Sequence, residues 1–311
     1  MLPIIKVRKI WFIFSSTLVI LSIIAFSIWG LKLGIDFTGG SLLEIEFSIP
    51  RPTNQEITLA LESLNLGNIT IQPVGEKGVI FRFKEIDEEN HQKIISTLKE
   101  KFKETMSGGE GITFELKVLE EKRFDSIGPT IGQELKRKTV WAIVLANIAI
   151  ILYIAWAFRK VSKPVNSWKY GVSAVIALIH DIIITVGVFS ILGKFYGMEV
   201  NAPFIAALLT ILGYSVNDTI VVFDRTRENL IRRLGEDFEK VVEDSVNQTI
   251  ARSINTSLTV IISLFAILLF GGASIRDFAL ALIVGITFGT YSSIFLASPL
   301  LVVWEKIRLR S

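Results

Sequence analysis

The sequence contains no cysteine among its 311 residues. This absence excludes a disulfide framework, a thiolate metal site and a cysteine nucleophile, and it leaves the redox compartment undetermined. Long stretches of the sequence also contain almost no charged residue. Half of the residues are hydrophobic, and the mean hydropathy is +0.53. These values are unusual for a soluble domain and typical of a chain that crosses a membrane repeatedly.

Six long windows contain almost no charged residue. A membrane helix needs about 20 consecutive apolar residues, because the hydrocarbon core of a bilayer is about 30 Å thick. Four windows carry no charge, the third carries Asp181 and the fourth carries Asp218. The sequence therefore predicts an all-α membrane bundle of six helices, at residues 10–31, 139–158, 170–193, 202–223, 253–272 and 278–304.

The first window follows Lys6, Arg8 and Lys9, as the apolar region of a secretory signal peptide would. Its apolar run is longer than the roughly 7–15 residues typical of such a peptide, and no convincing small-residue cleavage site follows it. We therefore interpret this window as a membrane anchor.

The short segments between the windows differ in basic residues, and this difference predicts orientation. Lysine and arginine are concentrated at the chain ends and in two connecting segments: residues 1–9, 159–169, 224–252 and 305–311. The short segments expected on the other side of the membrane contain only two basic residues, Lys194 and Arg276. We therefore expect cytoplasmic termini, a cytoplasmic loop at 224–252 and an external segment at 32–138. The net charge of +3 then reflects membrane orientation, and no nucleic-acid binding is expected.

The external segment, 32–138, has the pattern of a soluble α+β domain. Thr53, followed three residues later by Glu56, is a capping-box signature for a helix start. Hydrophobic alternation and turn residues define the other elements. The predicted order is strand, helix, two hairpin strands, helix and strand, at residues 41–48, 53–65, 69–74, 79–84, 88–105 and 112–119. This order predicts an inserted ferredoxin-like domain, a fold that hosts many unrelated functions.

Ionisable residues within membrane helices are functional candidates, because each costs at least about 2.5–3.5 kcal/mol near the bilayer centre. Asp218 would lie about 8 Å from the cytoplasmic end of the fourth helix, a depth that suits proton binding and release. Polar residues on the fifth helix recur at spacings of three and four, and we expect this stripe to face the bundle interior: Gln248, Arg252, Asn255, Thr256 and Thr259. Arg252 has two possible roles: a basic residue at the membrane boundary whose side chain extends to the interface, or a partner of ionised Asp218, which would lower the pKa of that carboxyl.

Structural hydrogen bonding between helices is the other possible role for these groups, and for the serine and threonine residues it is the role that we favour. For Asp218 we favour proton or ion handling, because asparagine would fill a structural role at lower desolvation cost. His180 and Asp181 are adjacent and should point to different faces of the third helix, where each can satisfy separate neighbours. The polar residues expected to support the site are Ser215, Asn217, Thr219, Asn255, Thr256, His180 and Asp181.

Five ordered motifs resemble the SecD/SecF family of protein-export membrane subunits. They are GIDFTGG at 34–40, IGPTIGQEL at 127–135, ALIHD at 177–181, GYSVNDTIVVFDRTREN at 213–229 and SVNQTIARSINTSLT at 245–259. The resemblance spans nearly the whole chain. It implies one half of a resistance-nodulation-division transporter, with the larger relative SecD supplying the other half.

The resemblance also implies a function and partners. The chain would be a non-enzymatic subunit in the bacterial cytoplasmic membrane, in contact with membrane lipids, that works with SecD beside the SecYEG channel and the SecA motor. Together they would use the proton-motive force for late preprotein translocation and release. The proton-relay aspartate and arginine of the family fall on Asp218 and Arg252. No cofactor or metal is implied.

Two glycine-rich motifs flank the external segment and are hinge candidates: Gly34, Gly39 and Gly40 in the first, and Gly128, Pro129 and Gly132 in the second. A phosphate-binding loop is the competing interpretation. Neither motif has the G-x-G-x-x-G or G-x-x-x-x-G-K-[ST] spacing after a strand, so nucleotide binding is not expected.

Other functions are consistent with some of these features. A proton-coupled exporter of small molecules or lipids from the same superfamily would use similar carboxylates. An intramembrane aspartyl protease could use Asp181 and Asp218, but its GxGD motif is absent. A structural scaffold predicts that Asp218→Asn leaves function intact. Sodium could replace the proton, since it takes the same oxygen ligands, although the sequence contains no richer oxygen cage.

Overall fold

The computed structural model describes residues 2–48, 51–64, 66–67, 69–104, 119–157, 166–233 and 235–310. The chain divides into two compact units, one formed by Met1–Lys32 with Thr139–Ser311 and the other by Leu33–Lys138. In chain order, the elements are α1 (Arg8–Trp29), α2 (Ile35–Thr38), β1 (Gly40–Phe47), α3 (Asn54–Leu61), β2 (Thr70–Val74), β3 (Gly78–Phe83), α4 (Glu88–Glu104), β4 (Leu119–Ile127), α5 (Pro129–Ala157), α6 (Ser167–Tyr196), α7 (Ala202–Arg232), α8 (Phe238–Phe270), α9 (Ala273–Ser292), a π-helical segment (Ser293–Ala297) and α10 (Ser298–Arg310).

Six long helices are apolar enough to cross a membrane, judged by length and composition among the described residues. They are α1, α5, α6, α7, α8 and the continuous helix formed by α9, the π segment and α10. Each overlaps one of the six predicted windows. The predicted end of the second window, Phe158, and the basic residues at 159–165 lie outside the described residues.

The two helices that flank residue 234 are longer than predicted, so the prediction of a loop at 224–252 is wrong. α7 continues to Arg232, and α8 begins at Phe238. The charged residues are accommodated as helix-surface ion pairs, with Glu228 lying 2.5 Å from Arg225 and 2.7 Å from Arg232. The charge-free window at 202–223 is therefore shorter than α7, because the helix continues into residues whose charges are paired on its surface.

Close packing of small residues holds the centre of the membrane unit together. A Cβ atom at Gly285 on α9 would overlap Ile211 on α7, and one at Gly187 on α6 would overlap Ser22 on α1. Without a hydrophobic driving force between helices in lipid, such close approach is a main source of association. The central helices α6, α7 and α9 therefore form the best-packed part of this unit.

The N-terminal residues are packed against α8. Ile4 and Ile5 are buried in the core of the membrane unit. The carboxylate of Glu243 accepts hydrogen bonds from the backbone N–H groups of Ile5 and Lys6, both at 3.3 Å. These contacts satisfy backbone donors just before α1 and fix where that helix begins.

The second unit contains a four-stranded antiparallel sheet with the strand order β2-β3-β1-β4. One face of the sheet packs on α3 and α4, through a core that includes Leu43, Phe81, Ile57 and Leu98. Alternation along β1 and β3 explains this arrangement, because every second side chain points to the helical face. The observed order of strands and helices agrees with the predicted order.

The predicted capping box is present at the start of α3. Thr53 Oγ1 accepts from the Glu56 backbone N–H, and the Glu56 carboxylate accepts from the Thr53 backbone N–H at 2.8 Å. The Glu56 carboxylate accepts hydrogen bonds from both the backbone N–H and the hydroxyl of Thr53, and these bonds lower the pKa of the carboxyl because they stabilise its charged form.

The last strand differs from its prediction. β4 begins at Leu119, where the predicted strand at 112–119 ends, and residues 112–118 lie outside the described residues. β4 pairs with β1 along one edge, while charged and exposed side chains cover much of it. An edge strand of this kind lacks the hydrophobic alternation that identifies a half-buried strand.

Candidate functional site

Asp218 lies on α7 and is 8% exposed. The hydroxyl groups of Ser253 on α8 and Ser293 on the π segment interact with its carboxyl group. Among the described residues, Asp218 Oδ2 and Ser253 Oγ are buried without a hydrogen-bond partner that meets distance and angle limits. The carboxyl is therefore buried among hydroxyl groups, with no lysine or arginine among its interaction partners in the described part of the chain.

The surroundings of Asp218 are hydroxyl groups rather than cations. Thr219 Oγ1 lies 3.1 Å from Ser293 Oγ and donates to the Ser215 carbonyl oxygen at 3.0 Å. Ser293 also donates to the Gly289 carbonyl oxygen at 2.8 Å. It begins the π-helical segment, and π turns within α-helices are frequent at functional sites.

Asp181 lies on α6 and is completely buried. Its Oδ2 atom accepts hydrogen bonds from Ser215 at 2.6 Å and from Ser292 at 2.8 Å. Its Oδ1 atom lies 2.9 Å from the Nδ1 atom of His180. The carboxylate therefore joins three helices, α6, α7 and α9, at one point.

His180 contacts Asp181 directly, so the expectation that the two point to separate neighbours is wrong. Consecutive helical residues are about 100° apart, and the imidazole and carboxylate are long enough to bridge that angle. The imidazole is 4% exposed and stacks on Tyr291 with ring centroids 6.0 Å apart. Tyr291 Oη in turn lies 3.0 Å from Ser15 Oγ on α1.

The polar stripe of α8 faces outward in this chain, and its predicted inward orientation is wrong. Arg252, Asn255 and Thr256 are exposed, as are Gln248 and Thr259. Among the described residues, Arg252 is not an interaction partner of Asp218. The inward face of α8 instead carries Ser253 and Ser257, whose smaller side chains permit close packing against α7 and α9.

Asn217 is also exposed and lies on a row of exposed residues along α7. The exposed residues of this row recur at spacings of three and four and are small or polar: Ala206, Thr210, Gly213 and Asn217. This row and the exposed polar stripe of α8 are the two outward strips of the chain. Of the predicted supporting residues, Ser215, Thr219, Asp181 and His180 therefore meet in the interior, while Asn217, Asn255 and Thr256 do not.

Two family models match the sequence. One, for the C-terminal part of the protein export membrane protein SecD/SecF, matches residues 111–307, and the other, for the SecD/SecF GG motif, matches residues 24–48. The chain belongs to the SecD/SecF family.

Members of the SecD/SecF family from several bacteria match over nearly their full length. Two relatives named protein translocase subunit SecF, from Thermobaculum terrenum and Anaerolinea thermophila, are each 43% identical over 98% of this chain and 95% of their own. A third with this name, from Vibrio alginolyticus, is 40% identical over 94% of this chain and 86% of its own. The chain is thus a multi-pass membrane protein of this family.

Solved structures of the SecD/SecF family share the fold. The crystal structure of SecDF, a translocon-associated membrane protein from Thermus thermophilus, is 32% identical with a TM-score of 0.78, over 97% of this chain. SecDF in a super-membrane-facing form is 31% identical with a TM-score of 0.63, over 98% of this chain. This chain spans 38% of the length of each solved SecDF chain.

The GG motif of the SecD/SecF family forms a tightly packed turn in the second unit. Gly39 has a φ of +74°, and a Cβ atom there would lie 2.7 Å from the Pro129 Cα atom. Gly40 has a φ of +118°, and its Cβ atom would lie 2.7 Å from the Phe83 carbonyl oxygen. A Cβ atom at Gly132 would lie 3.1 Å from the Phe37 backbone. Backbone conformation and lack of space both require glycine at Gly39 and Gly40.

Sequence reasoning missed several residues that complete the interior site: Ser253, Ser292, Ser293, Tyr291 and Ser15. Serine is common in membrane helices and carries no charge, so single serines gave no signal. The run of four hydroxyl residues from Thr290 to Ser293, within a charge-free window, was the available indication.

Proposed function

We propose that this chain acts as a SecF-like subunit of the Sec translocase and, with SecD, uses the proton-motive force to promote late translocation and release of preproteins. Full-length similarity to relatives named protein translocase subunit SecF supports the assignment to protein export. The role is that of a transport subunit rather than an enzyme. SecYEG, SecA and preproteins are the further partners that this role requires.

The observation that carries the proposal is the buried carboxyl of Asp218, which contacts the hydroxyl groups of Ser253 and Ser293 and has no cation among its interaction partners in the described residues. A carboxyl among hydroxyl groups and without a cation can bind a proton and release it, since neither state is locked by a salt bridge. Hydroxyl groups also donate to a carboxylate or accept from a carboxylic acid, as needed. These properties suit a coupling site.

The energy of one proton is sufficient for the movement that coupling requires. A proton crossing a potential of about 150 mV releases roughly 3.5 kcal/mol, at about 2.3 kcal/mol per 100 mV. Shifting a two-state equilibrium from 1:9 to 9:1 takes about 2.6 kcal/mol. One proton per cycle therefore supplies enough free energy to switch the external domain between two states.

SecD is the proposed neighbour of the outward strips on α7 and α8. Arg252, Asn255 and Thr259 are exposed within a helix that is long and apolar enough to span the membrane. Polar side chains of this kind avoid lipid and face a protein partner or a water-filled cavity. The solved SecDF chains, of which this chain spans 38%, support SecD as that partner. In such a complex, Arg252 lies at the SecD interface and acts on the proton site from there.

The proposed topology follows the basic residues. Both termini lie in the cytoplasm of a bacterial cell, the bundle is one half of a resistance-nodulation-division transporter in its cytoplasmic membrane, and the unit Leu33–Lys138 lies outside. The antiparallel order β2-β3-β1-β4 with two helices on one face supports a ferredoxin-like domain. The glycine motifs, which include Gly34 and Gly128, are the proposed hinges of this domain.

The test of the proposal is preprotein translocation in vesicles that contain SecYEG, SecA, SecD and this chain, with and without an imposed proton gradient. Asp218→Asn should abolish the part of translocation that the proton gradient stimulates and leave the ATP-driven part unchanged. A sodium gradient imposed in place of the proton gradient identifies the coupling ion. Stimulation by sodium alone would assign Asp218 to a sodium site.

Asp224→Asn is the matched control on the same helix. Asp224 lies six residues after Asp218, is exposed, and pairs with Arg227 at 2.9 Å. Its substitution should leave the gradient-stimulated rate unchanged, because an exposed ion pair contributes little. If Asp218→Asn also retains full gradient stimulation, the proton-coupling role is wrong and the subunit acts as a scaffold.

A further inference from the structure

A second buried carboxyl group lies close to Asp218 in the fold and has no role in the proposal above. Asp181 is 0% exposed and is held by three side chains on three helices, namely His180 on α6, Ser215 on α7 and Ser292 on α9. Ser215 and Ser292 both donate to Oδ2, and His180 Nδ1 lies against Oδ1, so polar side chains contact both carboxyl oxygens. An ionisable group buried within membrane helices in this way is a candidate for proton binding.

The contacts of the two carboxyls form two successive layers between α7 and the helix that contains α9. In the first layer, Ser215 and Ser292 both donate to Asp181. In the second, Thr219 contacts Ser293, and Ser293 interacts with Asp218. Ser215 and Thr219 are four residues apart on α7, so the layers are separated by about 6 Å along that helix.

The two layers are mechanically connected. Thr219 Oγ1 donates to the backbone carbonyl of Ser215, the residue whose hydroxyl donates to Asp181. Ser292 and Ser293 are consecutive, and the π segment begins between them. A change in the hydrogen bonds of one layer therefore moves backbone that carries the other, at a point where the helix geometry already departs from α.

The titratable groups around Asp181 are few. His180 contacts it from its own helix, and from α9 the phenol of Tyr291 lies against His180. α7 contributes Ser215, and α1 contributes Ser15 through Tyr291, both without charge. His180 Nε2 is buried without a hydrogen-bond partner among the described residues. Among the described residues, the side chains that contact the His180–Asp181 pair from other helices are thus hydroxyl groups and a phenol, with no lysine, arginine or second carboxylate.

We propose that Asp181 and His180 form a second proton-binding site, coupled to Asp218 through the paired hydroxyl layers of α7 and α9. Gain of a proton by the Asp181 carboxyl on Oδ1, the oxygen that faces His180, neutralises the group that accepts both serine hydrogen bonds, and hydrogen bonds to a neutral acceptor are weaker than those to a carboxylate. Weakening of those bonds shifts the turn that carries Thr219 and Ser293. This proposal rests on the proton-coupling function proposed for Asp218.

The first test uses the vesicle assay described above. Asp181→Asn and His180→Gln should each lower the gradient-stimulated translocation rate at least tenfold and shift the pH dependence of stimulation, while the gradient-independent rate stays unchanged. Ser190→Ala is the matched control, because Ser190 is a buried serine on α6 whose hydroxyl donates to Ala25 and Gly30 carbonyl oxygens away from the site.

The outcomes separate this inference from the proposed function. If Asp218→Asn abolishes gradient stimulation while Asp181→Asn and His180→Gln retain it with an unchanged pH profile, only the second site is wrong. If Asp181→Asn lowers the gradient-stimulated and gradient-independent rates in parallel, Asp181 is structural and the inference is again overturned. If Asp218→Asn has no effect either, the proposed function itself fails.

The second test measures protonation directly on the purified full chain. Dicyclohexylcarbodiimide reacts with protonated carboxyl groups in membrane proteins, and mass spectrometry reports its adducts at Asp181 and Asp218 as a function of pH. In Asp218→Asn, the midpoint of Asp181 labelling should move by about 1 pH unit, the scale of coupling between interacting sites. Ser190→Ala should leave the midpoint in place. An unmoved midpoint in Asp218→Asn, or no labelling of Asp181 at any pH that labels Asp218, would overturn the proposal.

Discussion

The two faces of α8 differ in a way that separates the chain's own packing from its association with a partner. The inward face carries Ser253, Ser257 and Leu264, all buried. The exposed surface carries Arg252, Asn255 and other polar residues, beside apolar residues such as Ile254 and Leu258. Since polar side chains of this kind avoid lipid, their exposure supports the proposed contact of this surface with SecD.

The exposed surface of α5 sharpens the contrast. Only 6% of the apolar window of α5 is buried, and its exposed side chains are large and apolar, including Trp141, Leu145 and Leu152. Large apolar side chains are the usual surface of a helix that faces lipid. We therefore interpret the exposed surfaces in two ways, as a lipid surface on α5 and as the proposed SecD interface on the outward strips of α7 and α8.

The largest expected effect comes from Gly285, which lies on α9 where that helix packs against α7. Gly285→Leu places a side chain where even a Cβ atom would overlap Ile211, so we expect destabilisation of the isolated chain by about 3 kcal/mol. Unfolding of the purified chain in detergent micelles measures this loss. Wild-type stability in this variant would show that α7 and α9 are not as closely packed as the structure has them.

A glycine on the outward strip should affect association instead. A Cβ atom at Gly213 meets no atom within 4 Å among the described residues, so Gly213→Leu should leave the stability of the chain unchanged. Small residues permit close approach of helices in membranes, and the added side chain should weaken association with SecD at least tenfold, which corresponds to about 1.4 kcal/mol. Co-purification of SecD with tagged chain, at a series of detergent concentrations, measures the change.

Leu152→Ala on α5 is the control for the outward strip. Leu152 is 65% exposed on a surface assigned to lipid, so its substitution should not alter SecD recovery. Equal recovery of SecD with Gly213→Leu and wild type would assign the strip to a different neighbour. Self-association of the chain, measured by cross-linking, would then identify a second copy as that neighbour.

The membrane helices were predictable because long charge-free windows report burial in lipid whichever neighbours are present. The orientation of the polar stripe on α8 was not predictable in the same way. A period of three and four places Arg252 and Asn255 on one face, but it does not distinguish an interior from an interface with another chain. For this reason the pattern alone could not decide whether Arg252 pairs with Asp218 within the chain.

The interior site was predicted in part. Asp218 and Asp181 were identified because each introduces charge where charge is expensive. Ser292 and Ser293 were missed, since their importance depends on the packing of α9 against α6 and α7 and on a π turn that has no clear sequence signature. In the second unit, the capping box at Thr53 was found because capping is local, whereas β4 depends on pairing with β1, which is distant in sequence.

The smallest expected effect concerns a hydroxyl on the inward face of α8. Ser257 Oγ accepts a hydrogen bond from Tyr214 Oη at 3.2 Å and contacts Thr290 Oγ1. Ser257→Ala removes both interactions, and because Thr290 keeps its hydrogen bond to the Ile286 carbonyl, we expect a loss of about 1 kcal/mol in the stability of the isolated chain. SecD recovery should stay at the wild-type level, since the site lies on the opposite face from the outward strip. Lower SecD recovery with unchanged stability would mean that the two faces of α8 do not act independently, and the distinction drawn between them would fail.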